Sequence, residues 1–424
     1  MTLKLDSPLS RILVILGTGI ICVLLFRVAV GHFVVRVVAD QRYGFDREAM
    51  LSAIQKQPDS SRVNHRLAES EMTLDPEQAL RHAARAVELS PWDYRSRRLL
   101  ALAQELNGRQ TEAQNSILAS VKLAPNHGEL NWTLANIFLR SGKLAESVPH
   151  FRIAATRRGA TPDDSFDLMW KASGGSLDLL ESMAENNAEM QLSLVKFLVN
   201  QARIQDAITI FSAIDRGARL KSVQSGEFIR GLINARQFGP ARQLWLDLAC
   251  AQSNVNAAST GLVWNPGFET DLLKNFGQFD WVINANKYAR IGFDRSQARS
   301  RMRSLRMLFS GIDTTTIKDQ FYQMVVLRPG GRYRLECYVK STDLVTPEGP
   351  RLAITGSGGS VIASSEPVAE GSSDWRAWAV DFTAPADNTP TFISIIRIPK
   401  FSYDNPTRGT VWFDDFSLTE LGRK

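Results

Sequence analysis

Two stretches of this 424-residue sequence lie 34 residues apart and share one pattern: Gly108-Arg109-Gln110-Thr111-Glu112-Ala113 and Gly142-Lys143-Leu144-Ala145-Glu146-Ser147. The same spacing separates Pro91 from Pro125, Ala79 from Ala113 and Ala207 from Ala241. Glycine ends a helix at little cost because it adopts positive φ, and proline prevents a helix from continuing. A small residue at a fixed place lets two helices approach closely. The sequence therefore predicts pairs of antiparallel helices that stack in register.

The repeated pattern predicts an all-α solenoid over residues 46–253. Recognisable units cover 60–93, 94–127, 128–161, 188–221 and 222–255. Residues 46–59 are expected to be the second helix of a degenerate first unit, and 162–187 a short, irregular pair containing Gly174-Gly175. Ala101 and Ala135 fall where a first helix comes closest to its neighbour. Phe151, Phe211 and Trp245 each follow the small residue of their unit by one helical turn, which predicts that they are buried.

The 34-residue period with these landmarks resembles the tetratricopeptide repeat (TPR). The resemblance implies a groove, lined by the first helices, that binds peptides or partner proteins. Groove positions by register are Arg95, Arg98, Glu105, Trp132, Asn136 and Arg140. Trp132 is the best contact candidate, because an exposed tryptophan beside arginine is typical of binding hot spots. The alternative is that these are ordinary helix-surface residues.

The N-terminal segment predicts a membrane anchor. Residues 12–26 carry no charge and follow Lys4 and Arg11. Fifteen residues make a helix of about 22 Å, shorter than a hydrocarbon core of about 30 Å. The apolar pattern resumes after Arg27, so a helix over about 10–35 spans if Arg27 snorkels to the headgroups. We therefore expect a cytoplasmic stub and a transmembrane helix within 1–38.

A cleaved signal peptide is the alternative for this segment. Val37 and Ala39 are small enough to precede a cleavage site, but Arg36 and the long gap after the apolar run argue against cleavage. Residues 1–45 carry five basic and two acidic side chains. Because the basic residues flank the apolar run on both sides, charge alone does not decide the membrane orientation.

The last third of the chain predicts an all-β domain over 263–421. Helical spacing stops near 255, and the small, polar residues of 254–262 predict a linker. Strand candidates are 305–309, 320–327, 333–340, 351–355, 375–382, 391–398 and 410–418. Residues 333–340 alternate apolar with charged side chains. Seven strands without helices between them predict a two-sheet sandwich.

Several motifs of this region look like those of carbohydrate-binding modules of families 4, 9 and 22, which are galactose-binding-like jelly rolls. The motifs are Asn265-Pro266-Gly267-Phe268-Glu269, Phe279-Asp280-Trp281, the run 322–333 ending in Pro329-Gly330-Gly331-Arg332-Tyr333, Phe382-Thr383-Ala384-Pro385 and Val411-Trp412-Phe413-Asp414-Asp415-Phe416. The resemblance implies glycan contacts from aromatic and planar polar side chains: Trp281, Tyr288, Tyr322, Gln323, Trp375 and Trp378. Trp375 and Trp378 are expected on opposite faces of their strand, and core packing is the alternative for each candidate.

The resemblance also implies a structural calcium ion between the first and last strands. Glu269 and the Asp414/Asp415 pair are the expected carboxylate ligands, and the alternative is that they are edge carboxylates without metal. Asp414 and Asp415 are adjacent in a predicted strand, so their side chains are expected on opposite faces. Six arginines between Arg290 and Arg306 predict either a solvated face or a site for an acidic polysaccharide or phosphate.

Composition and missing motifs exclude several functions. The chain is 44% hydrophobic and 22% charged, which is ordinary for globular domains. Its three cysteines, Cys22, Cys250 and Cys337, have no metal-ligand spacing. The net charge of +6 is thinly spread, so no nucleic-acid partner is expected. A nucleophile elbow, a phosphate-binding loop and a dinucleotide fingerprint are all missing from the sequence, so no enzymatic activity is expected.

Together these features predict a non-enzymatic scaffold of the bacterial cell envelope. A single-pass helix would hold it in the inner membrane with most of the chain outside the cytoplasm. The repeats would bind a protein partner, and the jelly roll would bind a polysaccharide or oligosaccharide. Exopolysaccharide or O-antigen assembly or export is the expected setting. The alternative is a pure protein-interaction scaffold whose jelly roll binds no sugar.

Overall fold

The computed structural model describes residues 8–38, 47–311, 316–399 and 406–422. Residues 1–7, which belong to the predicted cytoplasmic stub, lie outside the described residues. The chain divides into two compact units, Met1–Met190 and Gln191–Lys424.

The first unit consists of helices. They are α1 (Pro8–Val38), α2 (Arg47–Lys56), α3 (Ser61–Glu71), α4 (Pro76–Leu89), α5 (Tyr94–Leu106), α6 (Gln110–Leu123), α7 (Gly128–Arg140), α8 (Leu144–Thr156), α9 (Pro162–Ala172) and α10 (Leu177–Ala184). The helices α3 to α8 form three antiparallel pairs, which coincide with the predicted units 60–93, 94–127 and 128–161. The helix α2 lies where the second helix of the degenerate first unit was predicted, and α9 with α10 form the predicted short pair.

Local signals in the sequence set the helix ends. Gly108 and Gly142, which follow α5 and α7, have φ values of +75° and +73°. Asp75 accepts a hydrogen bond from the amide of Gln78 and so caps α4, which starts with Pro76. The Thr161 side chain and Asp164 form a reciprocal capping box at the start of α9. Each signal satisfies backbone groups that the helix leaves unpaired.

A repeated polar contact joins each first helix to the proline loop before it. The fourth residues of α3, α5 and α7 are Asn64, Arg97 and Asn131. Their side chains donate to the carbonyl oxygens of Pro58, Pro91 and Pro125 at 3.1, 2.8 and 2.8 Å. The prolines therefore end one helix and also provide the acceptor that fixes the next.

Small residues form much of the repeat core. Ala68, Ala79, Ala83 and Ala103 are buried together, and Ala101 packs with Ile117 and Leu134 in the next layer. A Cβ atom on Gly128 would collide with the backbone of Gly159, so this contact between α7 and the α8–α9 loop requires glycine on both sides.

The helix α1 has two parts with different surroundings. Val14–Phe33 is a 20-residue stretch with mean hydropathy 2.4, none of it buried, and by length and composition it is able to cross a membrane. Near the other end, Val35 is buried in a cluster with Met50, Ala53, Val63 and Leu67. Val35, near the C-terminal end of α1, therefore belongs to the core of the first repeats.

The second unit begins with five helices that continue the repeats. They are α11 (Ala188–Asn200, which crosses the boundary between the units), α12 (Ile204–Ala213), α13 (Arg216–Lys221), α14 (Val223–Asn234) and α15 (Phe238–Ser253). Ala202 and Arg236 follow α11 and α14, and both have φ of +58°. These positions are 34 residues apart, as Gly108 and Gly142 are. The weaker units therefore keep the left-handed turn without the glycine.

Two five-stranded antiparallel sheets follow. The strands are β1 (Val282–Ile283), β2 (Ala289–Asp294), β3 (Ser304–Ser310), β4 (Phe321–Val325), β5 (Arg332–Val345), β6 (Arg351–Thr355), β7 (Val361–Ser364), β8 (Gly371–Thr383), β9 (Thr391–Ile396) and β10 (Arg408–Glu420). Sheet A has the order β1-β4-β9-β6-β7, and sheet B has the order β2-β3-β10-β5-β8. All seven predicted strands overlap observed ones, whereas β1, β2 and β7 were not predicted.

The inward faces of the two sheets form one apolar core. It contains Phe321 and Ile393 from sheet A, and Met307, Val339 and Phe413 from sheet B. On β5 the buried positions alternate with more exposed ones from Tyr333 to Val339, as the sequence pattern predicts.

The last repeat packs against the sandwich within the second unit. The ring of Trp245 on α15 lies 5.2 Å from that of Trp264 and 5.6 Å from that of Phe279. Its indole nitrogen donates to the carbonyl of Phe276 at 2.6 Å. The Gln278 side chain donates to the carbonyl of Gly226 on α14 at 2.9 Å. Segment 254–262 therefore connects two parts of the second unit that pack against each other.

Candidate functional site

A polar cavity of about 390 Å³ lies on the first-helix face of the repeats, the face formed by α3, α5 and α7. Its lining combines both charges with aromatic and imidazole side chains: His65, Glu69, Tyr94, Arg95, Arg98, Leu99, Leu102, His127, Glu129 and Leu130. The hydrogen bond from His65 holds the pKa of Glu69 below its usual range. Such a lining suits a ligand with polar and charged groups.

The predicted groove residues fall into two groups. Arg95 is exposed and lines the cavity. Arg98, Glu105 and Arg140 instead connect neighbouring first helices. Arg98 contacts Glu129 at 3.2 Å, and Arg140 donates two hydrogen bonds to Glu105 at 2.6 and 2.7 Å. These three residues therefore fix the spacing of the repeats, although Arg98 also faces the cavity.

Trp132 is not the exposed contact residue that the sequence predicts. It is half-buried on α7, and its ring packs edge-on against the fully buried Phe151 at 5.4 Å. Asn136 donates to the carbonyl of Trp132, one turn earlier in the same helix, at 2.8 Å. The repeat register is as predicted, but the bulk of the indole brings it onto the core of its own pair.

The cavity includes residues that the sequence analysis missed. Tyr94, His127 and Glu129 lie at first-helix starts or in the preceding loop, where the repeat pattern is weakest, whereas His65 and Glu69 lie further along α3. The ring centroids of Tyr94 and His127 are 5.1 Å apart, although 33 residues separate them in the chain. Their spacing in the sequence, which is close to the repeat period of 34 residues, is the one signal that could have indicated this contact.

Two of the six glycan candidates are core residues. Trp281 is 2% exposed, stacks on Phe321 at 4.7 Å and donates from its indole to the carbonyl of Asn265 at 3.0 Å. Gln323 is fully buried, and its amide bonds both the amide and the carbonyl of Trp264, at 2.9 and 3.0 Å. Neither side chain presents a face to a sugar, because each completes the contact between β4 and the segment before β1.

The other four candidates lie apart from one another. Trp378 points inward and stacks on Phe413 at 6.1 Å. Tyr288, Tyr322 and Trp375 are half-buried and lie before β2, on β4 and on β8. Tyr322 is on sheet A, while β2 and β8 are opposite edges of sheet B. Their strand positions do not converge on one cleft.

The three predicted metal ligands all contact segment 299–303. Oδ2 of Asp414 accepts from the amides of Arg299 and Ser300 at 2.9 and 3.3 Å. Asp415 bonds the Arg299 guanidinium and the Ser300 hydroxyl, both at 2.6 Å. Burial raises the pKa of Asp414 to about 6, against the opposing effect of the Arg299 amide.

The prediction that Asp414 and Asp415 point to opposite faces is wrong. The register between β10 and β5 shifts between Asp414 and Ser417, and Asp415 has φ of +51°. This bulge turns Asp415 toward the segment that Asp414 already binds. A strict strand alternation does not hold where a strand carries an extra residue.

As arranged, these carboxylates do not fit a calcium ion. Oε1 of Glu269 accepts from the amides of Met302 and Arg303 at 3.0 and 3.1 Å, and Arg299 supplies the positive charge beside Asp415. Calcium requires six to eight oxygen ligands, and here the oxygens face N–H and O–H donors. Among the described residues, no group of three or more His, Cys, Asp or Glu side chains is placed to hold a metal.

Comparisons with known proteins give partial similarities. No protein-family model matches the chain, and no curated protein matches it. A solved structure described as "MamA MSR-1 C2" is 26% identical over 27% of this chain and 67% of its own, with a TM-score of 0.24. "CBM4 structure and function" is 18% identical over 38% of this chain and 99% of its own, with a TM-score of 0.28. YrrB, described as a TPR protein with an unusual peptide-binding site, is 15% identical over 49% of this chain and 93% of its own, with a TM-score of 0.26.

Proposed function

We propose that this protein is a membrane-anchored, non-enzymatic scaffold of the bacterial cell envelope whose repeats bind a protein partner on the first-helix face. The cavity of about 390 Å³ between α3, α5 and α7 is the observation that carries the proposal. It places two arginines and two glutamates around Tyr94 and a pair of histidines. An extended peptide segment with polar and charged side chains matches this lining, since such groups need hydrogen-bonding partners when they leave water.

The packing of Val35 supports an uncleaved anchor. Val35 shares a core with Met50, Ala53, Val63 and Leu67, so cleavage after Ala39 would remove an apolar side chain from a folded cluster. The exposed stretch Val14–Phe33 is then the membrane span. The inner-membrane location, with most of the chain outside the cytoplasm, and the role in exopolysaccharide or O-antigen assembly or export stay predictions.

A scaffold whose β-sandwich is purely structural is the second candidate. It is favoured by the burial of Trp281 and Gln323 and by the inward packing of Trp378 on Phe413, which together remove three of the six glycan candidates. Glycan binding then depends on Tyr288, Tyr322 and Trp375. A glycan array with the detergent-solubilised full chain separates the candidates. Binding that is lost in Trp375→Ala or Tyr322→Ala supports the glycan function, and an array without hits favours the structural sandwich.

Site-specific photocrosslinking in the native membrane tests the peptide-binding function. A crosslinking residue at Arg95 on the first-helix face is expected to give one discrete protein adduct. Asn115, which is exposed on the second helix α6, is the matched control and is expected to give none. Arg98→Ala should weaken the Arg95 adduct. Equal adducts at 95 and 115, or none at either, would contradict a binding groove on this face.

A further inference from the structure

We propose that the loop edge of the first unit lies against an anionic membrane surface, with Trp92 among the lipid headgroups. The loop edge is the side where each second helix ends and the next first helix begins, at residues 56–62, 89–95 and 122–128. The inference rests on the anchor proposed above. Beyond the anchor, it specifies which surface of the repeat array faces the membrane, which residue contacts the lipid and which charge the lipid carries.

The contacts of α1 identify which side of the array the membrane span leaves. Nδ1 of His32 lies 2.7 Å from Nε2 of Gln57, and Gln57 directly follows the end of α2. Val35, one turn further along α1, is already inside the repeat core. Toward the N-terminus, α1 therefore passes the loop edge at His32, and the apolar stretch ending at Phe33 continues beyond it.

The later loops belong to the same edge. The guanidinium of Arg85, near the end of α4, pairs with Asp59 in the loop after α2. The Ser61 hydroxyl at the start of α3 donates to the carbonyl of Ala86 at 3.1 Å. The Ser120 hydroxyl near the end of α6 donates to the carbonyl of Tyr94 at 2.6 Å. The two hydroxyl contacts place the end of a second helix beside the start of its own first helix, and the ring contact of Tyr94 with His127 at 5.1 Å joins the starts of α5 and α7. These loops therefore lie on the same edge as the exit point of α1.

The apolar span ends level with this edge, so there is no spacer between the two. Phe33, the last residue of the span, is adjacent to His32, which contacts the loop edge directly. When residues 14–33 are in the hydrocarbon core, the loop edge falls at the depth of the headgroups. Loops held there meet lipid rather than bulk water.

Among the described residues, Trp92 is the large apolar side chain that this edge exposes. It is 82% exposed, between Pro91 and Asp93 in the α4–α5 loop. Tryptophan is enriched at membrane–water interfaces because its ring is apolar and its N–H needs a polar partner. Leu74, in the α3–α4 loop at the opposite edge, is also exposed, at 71%. The 11-residue helix α3 separates the two edges.

The charge of the loop edge favours anionic lipid. Lys56 at the end of α2, Arg62 at the start of α3 and Lys122 at the end of α6 are exposed. The ion pairs recorded among the described residues involve none of these three. Basic side chains close to an acidic leaflet are attracted to it within a Debye length.

Depth-dependent fluorescence quenching of the full chain tests the inference. Cys22→Ser leaves the buried Cys250 and Cys337, so a cysteine introduced at 92 or at 74 takes a polarity-sensitive label. The labelled chains are reconstituted in vesicles of phosphatidylcholine and phosphatidylglycerol that contain a headgroup spin label. The label at 92 should be quenched several-fold more than the label at 74. Lys56→Gln with Lys122→Gln should reduce the quenching at 92, and replacing phosphatidylglycerol by phosphatidylcholine should do the same.

Two outcomes overturn the inference, and they are distinguishable. If the chain stays with the vesicles after a high-salt wash but the two labels are quenched equally, the anchor holds and the loop edge does not touch lipid. Trp92 would then be assigned to a contact with another protein. If the chain does not stay with the vesicles at all, the anchor and the membrane-facing edge both fail.

Discussion

At the residue scale, Asp280 is the side chain with the clearest pH-dependent effect on stability. It is buried in the segment just before β1, and its oxygens accept from the amides of Leu273 and Trp281 at 2.7 and 2.8 Å. Burial raises its pKa to about 6, although these two hydrogen bonds oppose the rise. A carboxyl group in an unfolded chain has a pKa of about 3.9.

We expect the wild type to lose stability relative to Asp280→Asn as the pH rises from about 4 to about 6. Below this window the carboxyl is protonated in both states, and above it the folded protein must carry a buried charge. Each unit of pKa difference corresponds to about 1.4 kcal/mol. Denaturant unfolding of both proteins at several pH values measures the difference. Asp374→Asn is the control. The stability of the wild type relative to this variant should change with pH in the opposite direction, because hydrogen bonds from the Trp375 amide and Lys340 lower the pKa of exposed Asp374.

Also at the residue scale, Ala202→Gly should raise the free energy of unfolding by about 0.5–1 kcal/mol. The left-handed conformation costs a non-glycine residue about 1–2 kcal/mol, and the entropy of glycine in the unfolded chain offsets about half of this. Ala202 has φ of +58°. The reverse change, Gly142→Ala, is the matched control and should lower stability by a similar amount, since a Cβ there has open space. A loss of stability in Ala202→Gly would contradict this account.

At the element scale, the sequence predicted the helices better than the binding residues. The 34-residue period marks helix pairs because burial and turn residues recur at fixed places, and α3 to α8 follow the predicted units. Arg98, Glu105 and Arg140 were harder to assign. Their period places them on the first-helix face, but it does not indicate whether they bind a ligand or one another.

The strands that the sequence missed are edge strands with little alternation of burial. The strand β1 has two residues, and β7 is a four-residue edge with mostly exposed side chains. The strand β2 contains Gly292 and shows no alternating burial. Central strands such as β5 alternate because one of their faces packs on the core and the other faces outward. The burial of Trp281 and Gln323 depends on Phe321 and Trp264, which no local pattern places beside them.

A prediction at the same scale concerns the link between β10 and segment 299–303. If N–H groups and Arg299 satisfy the three carboxylates, a chelator should leave the melting temperature of the full chain unchanged, and added calcium should not raise it. Differential scanning calorimetry with and without chelator measures this. Arg299→Ala should lower the melting temperature, because it leaves Asp415 without its guanidinium partner at 2.6 Å. A rise in melting temperature with calcium would instead show that an ion displaces these donors.

At the scale of the whole molecule, the boundary between helices and strands is not a boundary between compact units. The sequence changes character near residue 255, because the side-chain periodicity changes there. The compact units nevertheless divide at 190/191, and the second contains both the last repeats and the sandwich. The periodicity of the side chains depends on the local secondary structure, whereas the division into compact units depends on which residues pack together. The contacts of Trp245 with Trp264 and Phe279 are the physical reason for the difference.

Two glycines of the same helix test whether the last repeats and the sandwich share one core. A Cβ on Gly226 of α14 would lie 2.9 Å from the carbonyl oxygen of Asn275, whereas a Cβ on Gly231 would meet nothing within 4 Å. Alanine is favoured over glycine in a helix interior by about 1 kcal/mol, so Gly231→Ala should stabilise the protein by about that amount. Gly226→Ala gains the same helix preference but must push the 275–278 segment away, which weakens the bond from Gln278 to the Gly226 carbonyl. Overpacking of this kind costs about 1–3 kcal/mol, so Gly226→Ala should be neutral or destabilising.

Chemical denaturation followed both by far-ultraviolet circular dichroism and by tryptophan fluorescence measures the two variants. If helix and sandwich unfold together, Gly226→Ala should shift both signals equally. Equal stabilisation by the two substitutions would mean that α14 does not press against the sandwich.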